Sequence, residues 1–520
     1  MFCYKGFRKF VSLGNPYRVS YLHTIKEILL QKPVGSKLFM QGWVRALRKH
    51  KEIYFIDLVD GSSAERLQVL IAADKQCPSY GSSIQVEGSL VNSSHKGQTV
   101  EFHAASWKEI GGCHSDYPFA YGQKYSPEYV RQYLHLRPRT RKFSSILRIR
   151  NVASFAVHTF FQELGFCFLH TPIITVNDCE GAGEVFSVKA SQEVVPKQPG
   201  TTISKCIDGK LPKVTSINKE LSDDSDIDEE PSAETEEYFG SQAYMTVSGQ
   251  LHLEAMASAM GPVYNFGPVF RAENSRTRQH ASEFSMVEAE IPFISNLDSL
   301  LEAISRPHRP LKASSPGTIG LIVEKCIKRV ACSILKNCVP DLIVLSDQNE
   351  GLVKYIEKVA EVPFARMTYD EAVKILQDNK SLKSPIKWGE DLSSECKRCL
   401  VHHSGNIPVF VTLFPSSLKP FYMKTSHADE NANKVAQCFD LFAPFGGEIC
   451  GGSLREDQEE ILRSHKQHSN LDWYLDLRKY GSVPHGGFGI GFDRLLQSLL
   501  RISNIRDIIP FPRRKRDCKC

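Results

Sequence analysis

Three groups of residues in this 520-residue chain have types and spacings suited to handling a nucleotide. The first runs from Phe270-Arg271-Ala272-Glu273 through Asn274, Arg276, Arg278 and Gln279 to His280, then to Glu283-Phe284 and Glu288. Residues 263–270 and 284–291 read as strands, so the polar stretch is a hairpin loop gathering cations, a carboxylate and an aromatic ring. A nucleotide site needs such parts: guanidinium for phosphate, a carboxylate near the adenine amino group and a ring to stack on the base. A charged surface hairpin has the same composition. The second group is Gly486-Gly487-Phe488-Gly489-Ile490-Gly491-Phe492-Asp493-Arg494, entering an apolar helical run. Glycines at alternate positions let a strand pass close beneath a ligand, though tight strand–helix packing asks for them too. The run lacks the Gly-Lys-Ser/Thr of a P-loop and the βαβ setting of a dinucleotide fingerprint. The third group is Asp440 with Glu448, followed by Arg455. Two carboxylates eight apart across a turn could hold Mg2+ on a triphosphate or work as a general acid–base pair, and spacing does not separate the two.

Periodicity predicts the elements that position these groups. Ile146, Ile149, Ala153, Ala156, Phe160 and Leu164 recur at three- and four-residue intervals and Gly165 ends the run, which predicts an amphipathic helix. Thr368-x-x-Glu371 opens another as a capping box. A helix starting at Leu297 under Ser295 is interrupted by Pro307, Pro310 and Pro316, and periodicity resumes over 319–335, so 306–317 reads as a loop splitting two helices. Upstream, 38–44, 53–58, 67–72, 84–91 and 99–107 are five short runs rich in β-branched and aromatic residues. They predict a small Greek-key barrel of the OB type, a fold that often binds single-stranded nucleic acid. Residues 112–138, rich in Tyr, Gly, Pro and Gln, read as a hinge, and 188–238 as a polar, then acidic insertion.

Composition limits the function classes. Hydrophobic residues at 42% and charged residues at 24% are ordinary for a globular chain, and no apolar run is long enough to span a bilayer. Fifteen scattered cysteines suit reduced thiols in an intracellular compartment. The net charge of +5 conceals an asymmetry, because residues 218–240 hold ten carboxylates and one lysine, and without them the balance is +14. A cationic body of this kind suits a polyanionic partner. Residues 1–26 contain no Asp or Glu but include Lys5, Arg8, Lys9, Arg18 and Lys26 among aromatics, the composition of an organelle transit peptide. Cys396-x-x-Cys399-x-x-His402-His403 is too compact for a typical closed zinc site.

Taken together, an arginine followed by a carboxylate and an aromatic, then a glycine-rich strand ending in a second arginine, resembles motifs 2 and 3 of class II aminoacyl-tRNA synthetases. His170-Thr171-Pro172-Ile173-Ile174 looks like their motif 1, whose proline sits at a homodimer interface. With the barrel in front, the chain is identified as a member of the aspartate/asparagine/lysine subgroup over residues 37–513. The resemblance implies an α+β fold, an antiparallel class II sheet flanked by helices and preceded by an all-β OB barrel. The barrel would be an anticodon-binding domain at 37–111, then the hinge at 112–138 and a catalytic domain at 139–520. Thr246-Val247-Ser248-Gly249-Gln250-Leu251-His252-Leu253-Glu254 resembles the asparagine-specific branch. Aspartate-specific members carry a lysine where Leu253 stands, and beside a neutral amide a buried ammonium would lose hydration without gaining a partner. The short acid-free leader resembles that of mitochondrial forms, which implies the matrix.

Residue by residue, the resemblance implies that Arg271 binds the α-phosphate and substrate carboxylate of ATP-dependent adenylate formation. Glu273 would read the adenine amino group, Phe284 would stack on the ring, and His280 and Arg494 would take the γ-phosphate end beside Gly491. Asp440 and Glu448 would hold Mg2+. Glu180, Ser248, Gln250 and Glu288 would bind L-asparagine, with Arg455 on its side-chain carbonyl. In the barrel, Arg48, Phe55 and Gln68 match the anticodon contacts to tRNA(Asn). One position departs: the family's arginine before the motif 2 histidine is Gln279 here, with Arg278 one place earlier.

Overall fold

Strands β1 (Lys37–His50), β2 (Ile53–Val59), β3 (Leu67–Ala72), β4 (Ser83–Asn92) and β5 (Val100–Gly111) close into a barrel in the order β1-β2-β3-β5-β4. Strict alternation is the cause: Ile56, Leu58, Leu67, Val69, Ile84 and Val86 are wholly buried, and the residues between them face out. Helix α1 (Ile25–Gln31) adds Ile25 and Ile28 to that core. Thr24 and Glu27 cap it reciprocally, so the folded chain already includes the last residues of the stretch read as a leader. The computed structural model describes residues 23–73, 77–95, 97–177, 184–190, 238–275, 277–295, 319–346, 349–379, 382, 386–427, 434–464 and 471–520. The leader up to residue 22, the helix expected from Leu297, the 306–317 loop, Glu180 and most of the 188–238 insertion lie outside the described residues.

The segment read as a hinge is held by aromatic packing. Tyr125 and Tyr129 stack at 4.9 Å, and Phe119 meets Tyr117, Tyr125, Tyr129 and Tyr133 edge-on. Arg131 gives two hydrogen bonds to Asp507 (2.8 and 3.0 Å), and buried Arg137 donates to the carbonyls of Arg506 and Pro510 at 2.8 Å each.

Beyond it stands helix α2 (Arg141–Glu163), four residues longer at its start than the apolar period implies. The second sheet contains β6 (Cys167–Phe168), β7 (Val263–Phe270), β8 (Glu283–Pro292), β9 (Ala365–Thr368), β10 (Val409–Thr412), β11 (Cys438–Ala443), β12 (Gly447–Leu454) and β13 (His485–Gly491). Its order is β9-β10-β11-β12-β13-β8-β7-β6, antiparallel except for the two outermost pairs. The helices around it are α3 (Gln250–Met260), α4 (Ile319–Asn337), α5 (Tyr369–Gln377), α6 (Ser394–His403), α7 (Asp472–Lys479) and α8 (Phe492–Leu499). Helix α5 begins on the Thr368–Glu371 capping box.

The period-2 rule then divides the sheet. Val287, Ala289 and Ile291 of β8, with Phe488 and Ile490 of β13, join the core formed with α2, α4 and α8. Met286, Glu288 and Glu290, with Gly487, Gly489 and Gly491, turn to the opposite face. That face carries the candidate site.

Candidate active site

At one end of this face lie the motif 2 residues. Phe270 pairs with Glu283 at the neck of the hairpin, which puts Arg271 at the start of the loop and Phe284 on the returning strand. The Arg271 guanidinium lies 5.6 Å from the Phe284 ring centroid. His280 Nε2 is 3.3 Å from Glu273, and its Nδ1 meets the hydroxyls of Ser275 and Thr277. Burial lowers the His280 pKa, Glu273 raises it, and Arg494 and Lys397 lower it further. Residues 277–279 form a bend, not a strand. Arg278 is exposed, and Gln279 donates to the Phe445 carbonyl at 3.0 Å.

Arg494 enters the same region from the first turn of α8, directly after Gly491. Its Nε donates to the Gln279 carbonyl (3.2 Å) and its Nη1 to the Glu448 carbonyl (3.1 Å). Asp493 fixes that turn by accepting from the Ser285 N–H at 2.7 Å and from Arg150 of α2. Asp440 on β11 and Glu448 on β12 lie on adjacent strands, and the charge of Glu448 acts on Asp440. Each also has a lysine that sequence reasoning did not foresee. Lys419 gives Asp440 two hydrogen bonds (2.8 and 2.7 Å), and Lys397 of α6 gives Glu448 one (2.9 Å). Burial pushes the Asp440 carboxyl up to about 6, with Glu448 adding to the shift and Lys419 opposing it. Burial would raise Glu448 too, but Lys397, Lys419 and Arg494 together bring it down to about 2.

At the other end, Glu288 is saturated. It accepts from the Ser248 hydroxyl, from the Gly249 N–H at 2.9 and 3.1 Å and from Asn265 Nδ2 at 3.0 Å. A Cβ on Gly249 would lie 2.4 Å from Asn265 Nδ2 and 2.6 Å from the Thr171 hydroxyl, so only glycine fits there. Gln250 donates to Glu254 at 3.0 Å, one turn along α3.

Arg455 is buried, 3% exposed, against Glu290, with Nη2···Oε2 at 2.9 Å and Nε to both oxygens at 3.2 and 3.3 Å. Glu254 is 3.7 Å from the same guanidinium and accepts from the Tyr474 hydroxyl (2.7 Å), Arg478 (2.9 Å) and His485 Nε2 (3.1 Å). Burial alone would raise the Glu254 pKa. The His485 hydrogen bond and the charges of Arg478, His485 and Arg455 outweigh it and hold the carboxyl well below the usual range. Burial disfavours the His485 imidazolium, but the hydrogen bond to Glu254 and its charge raise the pKa nonetheless. Burial also raises Glu290, only partly opposed by Arg455.

Glu254, Glu290 and His485 bring their ligand atoms within 4.8 Å of one another, the one such grouping among the described residues. Guanidinium groups and a phenol already fill their acceptor positions, so this is a hydrogen-bonded network and not a cation cage. Cys396 and Cys399 are not gathered with their neighbouring histidines.

The structure therefore brings Ser248, Gln250, Glu288 and Arg455 to one end of the site face. Arg271, Glu273, His280, Phe284, Glu448, Asp440, Gly491 and Arg494 lie toward the other. Leu253 has a setting that the sequence argument did not foresee. It packs with Ala257, Val263 and Leu169 in a satellite core, while the charge near Arg455 comes from its neighbour Glu254. Helical period is the reason, since Gln250 and Glu254 share one face of α3. Glu290, His485, Arg478 and Tyr474 were missed, although Glu290 lies two residues beyond Glu288 on the same strand face.

On the barrel, Arg48 pairs across from Phe55, and Gln68 lies across from Asp57 on the next strand. Asp57 holds Arg66 at 3.1 Å and lies 3.7 Å from Arg48. Phe55 is half-buried, and Gln68 accepts from Gln98 at 2.7 Å. Pro172, Ile173 and Ile174 are all exposed.

Comparison with known proteins places this geometry. Residues 211–515 match the family described as tRNA synthetases class II (D, K and N). A mouse asparaginyl-tRNA synthetase is 40% identical over 518 residues, covering 98% of this chain and 96% of that one. The Arabidopsis thaliana asparagine–tRNA ligase, described as chloroplastic/mitochondrial, is 36% identical over 92% of this chain and 80% of its own. The crystal structure of the Pyrococcus horikoshii asparaginyl-tRNA synthetase complexed with asparaginyl-adenylate superposes with a TM-score of 0.74, at 26% identity over 96% of this chain and 99% of that one. The chain belongs to the class II tRNA synthetases of the aspartate, lysine and asparagine group, and within it to the asparaginyl-tRNA synthetases.

Proposed function

We propose that this protein joins L-asparagine to ATP and then to tRNA(Asn). An asparagine carboxylate oxygen bonds to the α-phosphorus as the bond to pyrophosphate breaks. A hydroxyl at the 3′ end of the tRNA then attacks the acyl carbonyl and AMP leaves. No protein base is needed for the first step, because the nucleophile is already an anion; the site's work is alignment and charge neutralisation. Arg271 would hold the α-phosphate and the attacking carboxylate together, with the adenine against Phe284 and its amino group near Glu273. His280 and Arg494 would take the far phosphates. Asp440 and Glu448 fit Mg2+, being hard oxygen donors on adjacent strands; when bound, the ion would supply positive charge to the triphosphate.

The observation that carries the choice of amino acid is the buried ring around Arg455. Its guanidinium can donate to a side-chain carbonyl, while Glu254 and Glu290 beside it disfavour a second negative charge there. A neutral amide suits that field better than a carboxylate does. Ser248, Gln250 and Glu288, with Glu180, would hold the rest of asparagine.

Three features extend the reading. Arg48, Phe55 and Gln68 form one patch on the outer barrel face, suited to stacking and reading an anticodon base. Exposed Pro172, Ile173 and Ile174 support a homodimer through that edge. The acid-free leader, together with the Arabidopsis relative, supports work in mitochondrial translation in the matrix. Charging of a tRNA(Asn) transcript with labelled asparagine, compared with one whose central anticodon uridine is replaced, tests the reading. Equal charging of both would reject the role of the barrel, and no charging of either would reject the function.

A further inference from the structure

Gln279 leaves the phosphate end of the site without the arginine expected from its motif, and the neighbouring Arg278 does not restore it. Its amide is turned to the Phe445 carbonyl and lies 3.2 Å from where a Cβ on Gly447 would be. Arg278 is exposed, and its carbonyl is taken by the Ile505 N–H at 2.9 Å. A cation reaches this region from a different element. Lys397 projects from α6 across the Phe442 ring (5.0 Å) to Glu448 Oε2 (2.9 Å), while Arg494 approaches the Glu448 carbonyl. Arg494 also donates to the Gln279 carbonyl (3.2 Å), so through Glu448 the Lys397 ammonium stands beside the end of the site where Gln279 and Arg494 meet. The neighbouring Lys419 is different: two hydrogen bonds hold it on Asp440, and it lies 3.9 Å over the Phe414 ring. Lys397 has one contact with its carboxylate and a side chain 19% exposed.

We propose that Lys397 binds the β- and γ-phosphates of ATP, supplying the cation that Gln279 does not. Its resting partner is Glu448. With a divalent cation held by Glu448, that carboxylate would no longer neutralise the Lys397 ammonium, which would then be available to pair with the triphosphate. The inference rests on reading this face as the ATP site. It adds a residue from outside the three sequence motifs and gives Glu448 two successive partners.

The test is calorimetric binding of ATP and of its non-hydrolysable β,γ-methylene analogue to the full chain, with and without Mg2+, alongside asparagine titrations. K397M should weaken nucleotide binding by about tenfold or more, the scale of one charge-assisted hydrogen bond, and leave asparagine binding unchanged. K397R should stay near wild type, and Q279R placed in K397M should recover much of the loss. If K397M does not fold by thermal melting, K397Q makes the same comparison. A folded K397M that binds nucleotide like wild type overturns the proposal, as does equal loss of nucleotide and asparagine. Wild-type protein that binds no ATP at all would overturn the reading of the site itself.

Discussion

Glu290→Gln isolates the charge proposed to favour asparagine over aspartate. The substitution keeps shape and removes one negative charge from a pair in which Glu290 is 1% and Arg455 3% exposed. Two effects follow. Arg455 loses the charge assistance of three contacts of 2.9–3.3 Å, and with it the alignment proposed toward the substrate carbonyl. A charged hydrogen bond contributes about 1.5–3 kcal/mol, so asparagine should lose roughly 10- to 150-fold in kcat/KM. The second effect favours aspartate. A substrate carboxylate across one guanidinium from Glu290 sits roughly 6 Å away, and at an effective dielectric constant of about 20 their repulsion is on the order of 3 kcal/mol. Removing it should shift the asparagine-to-aspartate ratio by up to about 100-fold, beyond the loss in asparagine activity itself. ATP–pyrophosphate exchange measured against each amino acid, with thermal melting as the folding control, separates the two effects. A folded Glu290→Gln enzyme with an unchanged ratio would refute the electrostatic basis of specificity proposed here.

Gly487→Ala attacks the same pair sterically: the new Cβ would lie 1.9 Å from Glu290 Oε2, 2.4 Å from the Ala289 carbonyl and 2.7 Å from Arg455 Nη2. Overpacking costs about 1–3 kcal/mol, and exchange kinetics should show the KM for asparagine rising well before that for ATP. The Asp440 carboxyl is pushed up to about 6, so the folded protein takes up its proton at higher pH than the unfolded chain, and the carboxylate proposed to hold Mg2+ would be lost as pH falls through that value. The KM for Mg-ATP should therefore climb below about pH 6, and in Asp440→Asn that step should be absent from the pH profile. Phe55→Ala should weaken tRNA binding by about 1–3 kcal/mol, the range for one stacked base, while amino-acid activation without tRNA stays at the wild-type rate. Filter binding and exchange assays check the two halves of that expectation.

Local pattern reached much of this architecture. The barrel strands were legible because inward and outward residues alternate strictly, as Ile56, Asp57 and Leu58 show. The glycine run 486–491 was legible as a strand lying close to something else, and its site-facing glycines are the odd-numbered ones. The segment 112–138 read as a hinge from its Tyr, Gly, Pro and Gln content; that five of its rings pack on one another is something composition does not encode. The network around Arg455 joins Glu254, Glu290, Tyr474, Arg478 and His485, residues up to 231 positions apart. Only tertiary folding makes them neighbours. Glu290 alone carried a signal, its two-residue offset from Glu288. Lys397 was hidden for another reason: the cysteines flanking it directed attention to metal binding, whereas its helix points the ammonium at Glu448.

The most direct test of the central claim is ATP–pyrophosphate exchange by purified wild-type protein with asparagine, aspartate and lysine offered separately and no tRNA present. Exchange supported by asparagine alone is the predicted result, since it requires both the adenylation geometry and the field around Arg455. Exchange with aspartate at a comparable rate would contradict the specificity argument, and a folded protein that exchanges with none of the three would contradict the assignment of the catalytic site.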